Sequence, residues 1–150
     1  MLGEFVDDPE GLEGNPGITE ALGLLPVQTI LKSPKTTTIS EFCWQSARGK
    51  GYEIHMGATN LSAGTHLLEI NSRNSTACID TDGCMAANSQ VAGTYIHGFF
   101  DSYQVLSKWL EWAGININIP CDDILSLKEK DYTLLKEHFE NYIEINPFLQ

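Results

Sequence analysis

The apolar period of the chain changes once, at Asp101. Before it, short runs rich in β-branched and aromatic residues are cut every few positions by Gly, Pro, Asn or Asp; after it, Val105, Leu106, Trp109, Leu110 and Ala113 recur at helical spacing and are closed by Gly114. Strand-like segments come first and two helix-like segments last, with no internal repeat. The second helix is expected around DYTLLKEHFENYI, with Tyr132, Leu135, Phe139, Tyr142 and Ile143 on its apolar side.

Within the strand-like part, MLG reads as a helix terminus and DDPEGLEGNPG as a long surface loop. ALGLLPVQTI reads as a strand interrupted at Pro26, and SPKTTTISEFCW as a turn leading into a Thr-rich strand. GYEIHMGAT alternates with period two, which puts Tyr52, Ile54 and Met56 on one face and Glu53 with His55 on the other. HLLEI is a short strand, NSRNS a turn, and CIDTDGCM a turn with the strong Asp82-Gly83 signal. QVAGTYIHGFF is a strand ending at Gly98, and it sets His97 between strand and glycine.

At 150 residues and 42% hydrophobic the chain can build one core. Nine Lys and Arg against 20 Asp and Glu, a net charge of -11, would repel a phosphate backbone, so nucleic acid is not an expected partner. No stretch approaches a membrane span and the first residues lack a secretory pattern, so no membrane partner is expected and the predicted location is the cytoplasm. Cys43, Cys78, Cys84 and Cys121 contain no CxxC pair and none stands at zinc spacing from a histidine; reduced thiols and no metal are expected. No GxxxxGK[ST] phosphate loop occurs.

Taken in order, MLG, DPEGLEG, ALGLLPVQT, PKTTT, GYEIHMGAT, Asp82-Gly83 and GTYIHGFFD resemble the C-terminal, class I-type glutamine amidotransferase domain of cobyric acid synthases. The resemblance covers residues 1 to about 101, and the helical part, 101 to 145, is similar only in kind. It implies an α/β fold, the C-terminal portion of a flavodoxin-like class I amidotransferase domain with a mixed sheet and two C-terminal helices, residues 1–150 forming a partial amidotransferase domain. In that family the nucleophilic cysteine lies in a motif like CGGYQMLG, whose last three letters are where this sequence opens, so the resemblance places the nucleophile just upstream of Met1.

Carried over through GTYIHG, the catalytic base is His97, which takes the thiol proton and later gives it to the departing ammonia. The commoner amidotransferase branch has a glutamate two positions after the histidine; here Phe99 stands there, and Asp101 is the nearest acid that could orient the ring. Glu53, His55, Gly93 and Tyr95 are the candidate glutamine-binding residues, Glu53 and His55 either lining the site or bracing the loop that does. The partners implied are glutamine and a corrin, with ATP and Mg used by an N-terminal domain that these residues do not contain. The implied reaction is ATP- and glutamine-dependent amidation of adenosylcobyrinic acid a,c-diamide at side chains b, d, e and g. The alternatives are a ligase of the same branch acting in cell-wall synthesis and a noncatalytic scaffold. Without nucleophile or ATP domain, the chain by itself is expected to be inactive.

Overall fold

The computed structural model describes residues 1–117 and 124–142. A long hairpin is its backbone: β4, Thr36–Trp44, pairs antiparallel with β5, Ala47–His55, from Thr36 opposite His55 to Trp44 opposite Ala47. Three threonines and an isoleucine start β4, residues whose branched side chains suit a pleated surface. On the other side of β4 lies β7, Leu68–Arg73, and beyond it β8, Thr76–Asp82. The short strand β11, Ile96–His97, completes this five-stranded sheet along the free edge of β5.

Thr38, Ser40, Phe42 and Trp44 alternate inward along β4, and Ala47 and Glu53 do so along β5. Phe42, Trp44, Leu68, Ile70 and Ile96 join Phe99 and Val105 in the main core. The helix α1, Tyr103–Trp112, covers that core, with Val105 fully buried and the Trp109 ring tilted against Trp44, centroids 5.0 Å apart. Ser102 does not cap α1 with its side chain; its hydroxyl donates instead to the carbonyl of Arg48 at 2.8 Å, tying the helix start to β5. The opposite face of the sheet, carrying Ile39, Glu41, Arg48, Lys50 and Tyr52, is not covered by α1 and is largely exposed.

A second sheet holds β1, Phe5–Asp8; β2, Gly17–Glu20; β3, Val27–Ile30; and β6, Ala58–Leu61, in the order β2-β1-β3-β6. The pair β1–β3 is parallel, whereas the other described pairings are antiparallel. A small ribbon joins β9, Cys84–Met85, to β10, Ala92–Gly93. Leu25, Val27 and Cys84 form a smaller core there, with Leu2 against it. The second helix, α2, spans Ile124–Tyr142 and is exposed along residues 126–142, so Tyr132, Leu135, Phe139 and Tyr142 face solvent; Ile143 lies outside the described residues. Among the described residues no helix is long and apolar enough to cross a membrane.

The expected architecture, a mixed α/β arrangement with two C-terminal helices, is the one found. Its local boundaries differ. Residues 1–4 are not a helix end but a bent segment whose backbone bonds to residues 21–25 and to Val27. The acidic loop shrinks to residues 9–16, because the residues on either side pair as β1 and β2, and Asp8 organises it by accepting from the amides of Leu12 and Glu13. Strand β3 begins only after Pro26, which has no N–H for a ladder.

GYEIHMGAT is two strands, not one. Gly57 turns at φ 107, and a Cβ there would stand 2.2 Å from the carbonyl oxygen of Ile30, so the chain leaves the first sheet at His55 and enters the second as β6. NSRNS reduces to a two-residue hairpin turn at Asn74-Ser75, CIDTD is the strand β8, and QVAGTYIHGFF breaks into β10 and β11.

Candidate functional site

His97 owes its position to the short ladder with β5. Ile96 opposes Glu53 and His97 opposes Tyr52, so the side chains of each pair share a face and the two pairs lie on opposite faces. Ile96 is buried; the His97 ring stacks on the Tyr52 ring, centroids 4.8 Å apart and nearly parallel at 6°. Gly51 permits this approach, because a Cβ on it would stand 2.3 Å from the His97 carbonyl oxygen and 2.6 Å from Ile96. The exposed imidazole stands at an open hollow of about 1200 Å³ whose lining includes Ile39, Lys50, Tyr52, Gly98 and Asp101.

After His97 the chain turns at Gly98, φ 77, into a 3₁₀ turn, Phe99–Asp101. Phe99 is core: it is buried and stacks on Phe42 at 5.4 Å. It therefore offers His97 no acid. The Asp101 carboxylate accepts from Lys128 of α2 at 2.8 Å, which spends part of its capacity away from the ring.

Glu53, His55 and Tyr95 come together, but not around His97. Glu53 is 3% exposed and accepts from the Ser40 hydroxyl and from Arg73 Nε at 3.1 Å, with His55 Nε2 at 3.4 Å. Burial alone would raise its pKa; the hydrogen bonds from Ser40 and Arg73, the Arg73 charge and the His55 contact outweigh it and hold the carboxyl below its ordinary value. Arg73 also pairs with Asp80, and although burial opposes its charge, the two carboxylates raise its pKa further.

The His55 ring stacks on Tyr95 at 4.6 Å, and its Nδ1 lies 3.2 Å from the Gly57 carbonyl. The Tyr95 hydroxyl reaches Thr59 Oγ1 at 2.5 Å, and Thr59 reaches Thr29 at 2.7 Å. A polar chain thus runs from β8 through β7, β5 and Tyr95 into the second sheet. Gly93 lies elsewhere, in β10 opposite Cys84, where a Cβ would stand 2.9 Å from Leu25.

Two residues escaped the sequence reading. Tyr52, placed by its alternation among apolar neighbours, is the platform of His97 on the open face. Asp82, taken as a turn residue, points its carboxylate at the segment entering β11: Thr94 Oγ1 and the Tyr95 amide both donate to its Oδ2, the latter at 2.9 Å. The DG dipeptide was the only signal for it.

Three cysteines lie within strands, Cys43 in β4, Cys78 in β8 and Cys84 in β9; Cys121 is outside the described residues. Burial raises the Cys84 pKa and disfavours its thiolate.

Residues 1–105 match the family described as the CobB/CobQ-like glutamine amidotransferase domain. Curated relatives named cobyric acid synthase include those of Chlorobium phaeobacteroides strain BS1, 38% identical over 148 residues, and Vibrio campbellii, 36% identical over 150; each alignment covers 97% of this chain and 30% of the relative. A third, from Clostridium novyi, is 35% identical over 153 residues with the same coverage. The chain thus spans about 30% of the length of the curated relatives it matches. With GTYIHG carrying an exposed histidine to an open hollow and the family match extending over residues 1–105, the chain belongs to the CobB/CobQ-like glutamine amidotransferase domain family.

Proposed function

We propose that these residues are the histidine-bearing part of the glutaminase site of a cobyric acid synthase, with His97 as the base. The observation that carries the reading is the His97 ring: exposed, stacked on Tyr52, and open to the hollow through the glycine that follows it. The nucleophile is a cysteine supplied from outside these residues. Cys43, Cys78 and Cys84 lie in strands, and Cys121, in the sequence IPCDD, lacks the glycine-flanked setting of a nucleophile elbow.

The imidazole of His97 takes the proton of that thiol as sulfur attacks the side-chain amide carbon of glutamine. The C–N bond then breaks, the proton passes from the imidazolium to the leaving nitrogen as ammonia departs, and water cleaves the thioester to glutamate and free thiol. Tyr52 restricts the ring to one plane during both transfers. Glu53 and His55 act as a brace, since their polar atoms are engaged within the protein, and Tyr95 joins that brace to the segment bearing His97. Gly93 serves by letting Leu25 and Leu2 pack closely below it.

The ammonia would serve the ATP-dependent amidation of adenosylcobyrinic acid a,c-diamide at side chains b, d, e and g in the whole enzyme. ATP and Mg would be used by a part that residues 1–150 do not include. The names of the relatives favour a corrin substrate over a cell-wall one.

The test is His97→Ala in the whole enzyme. Glutamine-dependent amidation should fall by roughly 10²- to 10⁴-fold, the usual worth of a general base, while amidation with added ammonia continues. Retained glutamine use would remove His97 from the mechanism.

A further inference from the structure

Resting on the assignment of His97 as the base, we infer that Asp82 is the positioning residue that sets it, acting through Thr94 and the backbone of Tyr95. Between β10 and β11 the chain crosses Thr94 and Tyr95 outside any described ladder, so the amides there need acceptors of their own. One carboxylate oxygen meets that need at Tyr95. Asp82 Oδ2 accepts from the Tyr95 amide and from the Thr94 hydroxyl, and Thr94 Oγ1 accepts in turn from the Ile96 amide at 3.0 Å. Three consecutive residues are thereby tied to one atom, and the next residue is His97.

The anchor is itself held. Asp82 is 8% exposed and ends β8 opposite Leu68, and its carbonyl accepts from the Leu67 amide at 3.2 Å. Ladder pairing of β11 extends over Ile96 and His97 alone, too little to fix a strand by itself. The Asp82 bonds therefore determine where β11 begins, and with it how far the imidazole projects toward the hollow. A displacement of about 1 Å at a reacting group can cost on the order of 10²-fold in rate.

In the whole enzyme, Asp82→Ala and Thr94→Val should each lower kcat for glutamine hydrolysis by about ten- to a hundredfold, with KM for glutamine within about twofold and ammonia-dependent amidation maintained. Asp82→Asn keeps an amide oxygen able to accept both bonds and should restore kcat to within about threefold of the parent. A rise in KM at unchanged kcat, equal loss of the ammonia reaction, or an Asn variant as impaired as the Ala variant overturns the proposal. If Asp82→Ala fails to fold, Thr94→Val, which leaves the carboxylate in place, decides the matter by the same readings. His97→Ala assayed beside them separates the two assignments: retained glutamine use in that variant defeats the base itself, whereas its loss with Asp82→Ala and Thr94→Val unaffected defeats only the role of Asp82.

Discussion

Glu53 holds its carboxylate between a hydroxyl, a guanidinium and an imidazole, in a position that is almost closed to solvent. Its folded pKa lies below the unfolded value of about 4.3, so the stabilisation is complete above that value and is lost as pH falls through the depressed folded one. Replacing it with Gln should cost about 1–3 kcal/mol at pH 7, toward the lower end because the Arg73 side chain is 32% exposed and can recruit water. Urea unfolding of Glu53→Gln and parent at pH 7 and at pH 3 checks this: the gap between them should narrow at the lower pH, and a constant gap would rule out the charged pair as its source. Tyr52 and Ile54 make the complementary point. They are apolar in type and exposed, while the acid between them is buried.

Between β7 and β8 the turn is Asn74-Ser75, with φ of 48° and 65°, and Arg73 opposite Thr76 closes it. Both central residues are left-handed, as a type I′ hairpin requires, and Asn followed by Gly is the sequence that suits it. Serine at the second position bears a Cβ penalty of roughly 1 kcal/mol that glycine would not. Ser75→Gly should therefore stabilise the chain and raise Tm by about 2–4 °C, read in a thermal melt. An unchanged or lower Tm would mean that the lost entropy of glycine outweighs the relieved strain. Strand β11 is the converse case: it stays short because its edges are set by Gly98 on one side and by the Asp82-bound segment on the other.

Across the whole molecule, one face of the five-stranded sheet is packed under α1 and the other carries Tyr52, His97 and the hollow. The Glu53–Arg73 network lies with the core and the imidazole lies in the open, so the proposed assignment puts support on one face and chemistry on the other. With the nucleophile supplied from outside these residues, as proposed above, the purified 150-residue chain should release no ammonia from glutamine above a buffer blank in a coupled glutamate assay. Turnover in that assay would mean that one of its own cysteines serves as nucleophile. Thioester trapping would then identify it.

The switch of period at Asp101 was enough to place α1 and to set strands before helices, because the 3.6-residue repeat is a local property. The place of His97 at a strand end before a glycine turn was equally legible, since GTYIHG is a contiguous motif. Local pattern could not say which face of β5 is buried: that depends on which face of the sheet Phe42, Trp44 and α1 pack against, and they take the face that also carries Glu53, where Ser40 and Arg73 can satisfy its charge. Nor could it bring Asp82 to Tyr95, 13 residues apart, or Tyr52 under His97, 45 apart. Those contacts are made across strands, and only closure of the sheet fixes which residues meet.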